Sequence, residues 1–214
     1  QQDWSIKSLL RELVLTRTYR LSSRHDQLGS ESDPDNRLLW RMNRRRLDAE
    51  SLLDAMLAVS GRLRTDLGGP QIRSGTTNDY NYRHDSNRRA LYWPVLRNSL
   101  PELFKVFDFA NPSMVTGRRE NSSTTPQALF LMNNPWVLQQ ADHAAERVLS
   151  LRHGDRHRVQ LIVRATLGRP PTPSELESML AFVGSENDDR KMRLQKWAQV
   201  IQVLFASIDF RYLR

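Results

Sequence analysis

The chain has 214 residues, 39% of them hydrophobic, and carries 32 Lys and Arg against 24 Asp and Glu, for a formal charge of +8 and an isoelectric point near 10.4. That is enough apolar material for a buried core and excludes a disordered polymer. The absence of cysteine excludes disulfides, thiolate-bound zinc, thiol catalysis and haem attachment through C-x-x-C-H within this stretch.

No run approaches the roughly 20 apolar residues of a membrane-spanning helix; "VIQVLFASI" (200–208) is too short and is followed by charge. The N-terminus, "QQDWSIKSLLREL", lacks a starting Met and a signal-peptide pattern, so a cut-down or processed chain is expected.

In chain order, Asp3 is placed to cap a first helix in which Ile6, Leu9, Leu10, Leu13 and Val14 form an apolar stripe, running to about Tyr19. Residues 22–36 are polar and turn-rich, a loop. Asp33 followed by Pro34 reads as a helix start with Leu38, Leu39 and Met42 on one side. Asp48 opens a further helix that buries Leu52, Leu53, Met56 and Leu57 and stops at Gly61, which leaves the basic triplet 44–46 at the junction between the two.

Residues 67–87 show neither helical nor strand period and predict a long surface excursion. "RALYWPVLRN" (89–98) is the best strand candidate, confined by Pro94 to an edge or an extended segment. A short helix is expected over 99–107 and a polar loop over 115–126.

Thr125-Pro126 and Asn134-Pro135 then start a short helix, "QALFLMN", and a longer one to about Leu151. The last third predicts helices over 156–167, 174–183 (after Thr172-Pro173) and about 189–207, the last burying Trp197, Val200, Ile201, Leu204 and Phe205. The expected fold is mainly α: an irregular multi-helix domain with long loops and at most a small extended or β element. It reads as one domain, with a subdivision near 150–155 as the alternative.

The cluster "DPDNRLLWRMNRRRLDAE" (33–50) tests whether the basic charge is a grip on a polyanion. Arg37, Arg41, Arg44, Arg45 and Arg46 face Asp33, Asp35, Asp48 and Glu50, a net of +1, which suits internal carboxylate pairing better than phosphate binding. The excess concentrates in residues 61–120, with ten basic against six acidic residues. Nucleic-acid binding therefore rests on bulk charge alone and is disfavoured.

The densest polar constellation is "TGRRENSSTTPQ" (116–127), where Arg118, Arg119, Ser122, Ser123 and Thr124 precede a helix N-terminus that suits an anion. Tyr80, Tyr82, Arg88 and Arg89 in "DYNYRHDSNRRALYWP" combine aromatic faces with guanidinium groups, a surface for sugars or bases. In both places the structural reading, pairing and packing within the molecule, competes with ligand binding.

His153 and His157 are four apart, but Gly154 and the missing third ligand argue against a metal, and none is expected. No motif indicates a cofactor. Asp79, Asp85, Asp108 and Glu120 are the loop carboxylates available to a glycan-active enzyme, and whether the chain is an enzyme stays open.

Taken together and in order, "WSIKSLLRELVLTRTYRLSS", "DPDNRLLWRMNRRRLDAESLLDAMLAVSGRL", "RRALYWPVLRN", "VFDFANPSMVTGRRENSSTTPQALFLMNNPWV" and "LGRPPTPSEL" resemble the planctomycete-specific domain of unknown function. That domain lies C-terminally in exported proteins, often beside a planctomycete cytochrome-c-like domain. The resemblance implies an extracytoplasmic module, periplasmic or at the cell surface, beginning inside the family domain. Its implied partners are other domains of the same full-length protein, cytochrome-c-like ones among them, or an anionic polysaccharide. The leading expectation is a non-catalytic binding or assembly module; a glycan-active enzyme using loop carboxylates is the alternative.

Overall fold

The computed structural model describes residues 4–69, 72–184 and 188–213. They form ten α-helices and one two-stranded sheet, so the chain is mainly α. Asp3, the expected first cap, and positions 70–71 of the expected surface excursion lie outside the described residues. Backbone packing divides the chain into two compact units, Gln1–Arg46 with Tyr212–Arg214, and Leu47–Arg211.

The smaller unit contains α1 (Ile6–Leu15), α2 (Gln27–Ser32), β1 (Arg45–Arg46) and β2 (Tyr212–Leu213), the strands pairing antiparallel with Arg45 opposite Leu213 and Arg46 opposite Tyr212. Ser5 caps α1 by accepting from Ser8 N at 3.3 Å. The apolar stripe of α1 forms as expected, yet no residue of this helix is buried.

The helix expected from Pro34 does not form. The Asp33 carboxylate instead accepts from Arg37 N at 3.0 Å and Leu38 N at 2.7 Å, closing a turn. Asn36 and Leu39 adopt positive φ (53° and 54°), which a right-handed helix cannot propagate through. Asn36 is buried and holds that turn by donating its amide to Arg41 O at 2.9 Å and Asn43 Oδ1 at 3.0 Å. The helix appears earlier, as α2, where Asp26 accepts from Gly29 N at 2.9 Å. Gly29 is required there, because a Cβ would stand 2.7 Å from the Trp40 ring. Arg41 lies over Trp40 at 4.8 Å and Arg46 is buried, but Arg37, Arg44 and Arg45 are exposed. Of the carboxylates expected to pair with the cluster, Asp33 closes this turn, Asp48 caps the next helix and Glu50 meets Arg119.

The larger unit carries α3 (Ala49–Ser60), α4 (Glu102–Val106), α5 (Thr125–Asn133), α6 (Pro135–Ser150), α7 (Asp155–Leu167), α8 (Pro173–Val183), α9 (Arg190–Ala206) and α10 (Ile208–Arg211). Asp48, Asn134 and Thr172 cap as expected, whereas α5 is capped by Thr124, one residue before the expected Thr125. Asp48 accepts from Ser51 N at 2.8 Å and Asn134 from Trp136 N at 3.0 Å. Thr172 and Glu175 cap α8 reciprocally, at 2.7 and 3.2 Å.

α6 runs against α9, with Val137, Ala141, Ala144, Ala145 and Val148 buried on one side and Trp197, Ile201, Leu204 and Phe205 on the other. The three alanines let the helices approach closely, and the fully buried Trp197 fills the volume they leave. Leu52, Leu53, Met56 and Leu57 of α3 close the same core. Gly61 ends α3 in the left-handed conformation (φ 73°), with Arg62 N donating back to Leu57 O at 2.8 Å, while Arg147 of α6 donates to Ala58 O and Val59 O.

The strand expected over 89–98 is replaced by one turn of 3-10 helix at Ala90–Tyr92. Asp54 of α3 dictates this by accepting from Ala90 N at 2.6 Å and Arg89 Nε at 3.2 Å, and Pro94 has no N–H to offer a ladder.

Candidate functional site

The long segment between α3 and α4 returns to the helices and builds one wall of a recess. The Asp79 carboxylate accepts from the Asn98 amide at 3.0 Å, Ser99 Oγ donates to Tyr82 O at 2.9 Å, and His84 Nε2 donates to Ser99 O at 2.6 Å. These bonds lash residues 79–84 to 98–99. The Asn98 hydrogen bond also holds Asp79 below the usual carboxylate pKa. Burial pushes the His84 pKa below its ordinary value of 6.5, against the Ser99 carbonyl, which pulls it upward. Because a carbonyl can only accept, the neutral ring of His84 carries its proton on Nε2.

The recess encloses about 670 Å³, within the range of about 300–1,000 Å³ typical of small-ligand sites. Tyr82, His84, Trp93, Phe130 and Trp136 supply its aromatic surface, and Arg83, Asp85, Glu102 and Asn134 its polar groups. Pro135 at the first position of α6 fixes the chain direction that brings Trp136 and the Asn134 cap to this wall. Glu102, in the first turn of α4, accepts from Asn134 Nδ2 at 2.8 Å.

The aromatic surface continues inward as a ladder. Tyr82 meets His84 edge-on at 4.9 Å, His84 stacks on Trp93 at 5.4 Å, Trp93 on Phe104 at 6.1 Å and Phe104 on Phe109 at 4.7 Å. At its far end the Arg119 guanidinium covers Phe109 at 4.6 Å and holds both Glu50 oxygens at 2.8 Å. Tyr82 and Arg119, far apart in sequence, are thus the two ends of one stack.

The other residues expected from the sequence to bind a ligand divide by partner. Arg88 donates to Asp66 O and Gly68 O and covers the Tyr92 ring at 4.9 Å, and Arg89 pairs with Asp54. Ser122 gives both its N–H and its hydroxyl to the Asp108 carboxylate at 2.9 Å, and the buried Gln127 amide joins them by donating to Ser122 Oγ at 3.1 Å. The donors an outside anion would use at that loop are directed at an internal carboxylate. Arg118, Ser123, Thr124 and Tyr80 are exposed and lie away from the recess lining.

Asp85 pairs with Arg73 at the recess, while Glu120 is exposed and outside it. Trp136, Glu102, His84 and Asn134 are not singled out by the sequence as ligand residues. The signal available is local, an aromatic directly after the Asn-Pro helix start.

Another groove, of about 400 Å³, lies on α8 and α9, lined by Met179, Phe182, Val200 and Val203 with Ser174, Ser178 and Gln199 at its edge. Its wall is nearly all apolar, so it has little to orient a ligand. The rings of His153 and His157 approach to 4.4 Å, and among the described residues no three His, Asp or Glu side chains converge as a metal-holding group. Among them, too, no helix is long and apolar enough to cross a membrane.

A family described as PSD1, protein of unknown function (DUF1553), has a model that matches residues 1–183. No curated protein and no solved structure matches the chain.

Proposed function

Because the chain belongs to the PSD1 family of proteins of unknown function (DUF1553), membership brings no reaction with it, and we propose that it is a non-catalytic binding module of an exported multidomain protein, engaging polysaccharide. The observation that carries this is the recess itself: the half-buried rings of Tyr82 and Trp136 beside the hydrogen-bonding groups of Glu102 and Asn134. Flat apolar faces suit the C–H side of a sugar ring, and a few fixed polar groups suit its hydroxyls.

Binding is favoured over catalysis because three of the four loop carboxylates considered for a glycan hydrolase are engaged, and Glu120 lies outside the recess. Asp79 is held by Asn98, Asp85 by Arg73 and Asp108 by Ser122. Many arginines are likewise turned to acidic side chains or carbonyls, which removes support from a nucleic-acid reading. The resemblance to planctomycete exported proteins supports an extracytoplasmic location beside other domains of the same protein, cytochrome-c-like domains among them.

The test is a printed array of polysaccharides probed with this chain, wild type and Trp136→Ala. Retention of at least one polysaccharide by the wild type, weakened in the variant, is expected. Retention of none, or retention that Trp136→Ala leaves intact, refutes the proposal.

A further inference from the structure

Resting on the reading of the recess as a saccharide seat, we infer that its ligand is an uncharged, hydroxyl-rich saccharide and not an anionic one, despite the chain's charge of +8. Three observations on its walls carry this.

The first is where the positive charge goes. Around the recess Arg73 is taken by Asp85, Arg89 by Asp54, and Arg88 by the carbonyls of Asp66 and Gly68. Arg119, beyond the far end of the aromatic ladder, is chelated by Glu50. With Asp85 spent on Arg73, the lining sets Arg83 against Glu102, so it carries no net positive charge although the chain does. A sulfate or uronate placed there meets the single guanidinium of Arg83 and the opposing carboxylate of Glu102, with no cluster of cations to hold it.

The second is the hydrogen-bond inventory. Glu102 Oε2 accepts one proton of the Asn134 amide, which leaves Oε1 as an acceptor and the second amide proton as a donor. An acceptor beside a donor matches a hydroxyl, which gives one hydrogen bond and takes one. An ionised carboxylate or sulfate offers acceptors only, so it satisfies the Asn134 donor and is repelled by Glu102.

The third is shape. Tyr82 and Trp136 are half-buried, each keeping part of its surface open, and Leu100, Pro101 and Leu103 add apolar surface without a charge. This suits a ring that is apolar on its faces and hydroxylated at its edge.

Titration calorimetry of this chain with cellohexaose, mannohexaose and xylohexaose, and separately with hexagalacturonate, decides the matter. At least one neutral hexaose should bind about tenfold or more tighter than hexagalacturonate, insensitively to added NaCl. Trp136→Ala should weaken the neutral ligand about tenfold. Glu102→Gln, on an exposed side chain, should weaken it by less than that while tightening hexagalacturonate, a change of selectivity that a purely structural role would not produce.

Tighter, salt-sensitive binding of hexagalacturonate overturns the inference but leaves the saccharide seat standing. So does a Glu102→Gln variant with unaltered selectivity. Binding of no hexaose of either class removes the saccharide seat and this inference with it. If Trp136→Ala loses its circular dichroism signal, the selectivity of Glu102→Gln settles the question alone.

Discussion

The junction between α7, α8 and α10 yields a prediction whose size can be worked from geometry. Arg169, after the end of α7, donates to Glu175 Oε1 at 2.6 Å and Oε2 at 2.7 Å and to Asp209 at 2.9 Å. The Arg169 hydrogen bonds are the main reason the Glu175 pKa falls from 4.5 to about 2, with the Thr172 N–H adding to them and burial opposing. At about 1.4 kcal/mol per unit, that displacement bounds the contribution at roughly 3 kcal/mol. Both side chains keep contact with water, at 21% and 31% exposure, and screening reduces the expected value to about 1–2 kcal/mol.

The variant Glu175→Gln keeps one oxygen for the Thr172 cap and leaves Arg169 with Asp209, and it removes the charge together with one of the two oxygens that accept from Arg169. The folded pKa is depressed, so the stabilisation is fully present above 4.5 and is lost as pH falls toward about 2; by pH 3 more than half should be gone. Urea unfolding followed by tryptophan fluorescence at pH 7, 5, 4 and 3 measures the gap between wild type and variant. A gap below about 0.5 kcal/mol at pH 7, or one that stays constant down to pH 3, refutes the reasoning.

Three further outcomes are expected. Ala144→Leu, which forces a larger side chain into the α6–α9 contact where Ala144 is fully buried, should destabilise by about 1–3 kcal/mol in the same urea assay; no loss would mean the helices can separate at small cost. Arg119→Ala should cost about 1 kcal/mol through the Glu50 pair and the Phe109 face, while Arg118→Ala should stay within about 0.5 kcal/mol, and equal effects would contradict the placement of the two guanidinium groups. Because the His84 pKa is lowered in the folded state, the neutral ring's contribution is complete above 6.5 and declines as pH falls and the unfolded chain takes up the proton. His84→Phe should therefore flatten the fall in thermal midpoint between pH 7 and pH 5, and an unchanged slope would show that His84 does not carry it.

What is legible in the sequence follows a physical division. Helices whose stops and starts are written in local chemistry have their expected ends within a residue or two: Asp48 for α3, Asn134-Pro135 for α6 and Thr172-Pro173 for α8. A cap needs only the next three residues to act. The sequence misleads where one side chain has two local uses. Asp33 before Pro34 can cap a helix or close a turn, and the buried Asn36, bonded to Arg41 and Asn43, decides for the turn.

The site lies on the other side of that division. The segment 89–98 is extended and aromatic enough for a strand, but Asp54, some 36 residues earlier, takes its N–H groups and winds one turn of 3-10 helix. Arg119 reads as half of an anion site until Glu50, 69 residues away, meets it. The recess takes Tyr82 and His84 from a loop, Glu102 from α4 and Trp136 from α6, segments with no periodic relation along the chain. By itself the sequence determined a mainly α chain, most of its helix ends and its apolar faces, because those depend on neighbours within a turn or two. Which arginine meets which carboxylate, and which aromatic faces remain open to a ligand, was decided by tertiary packing, because both depend on groups that only folding brings together.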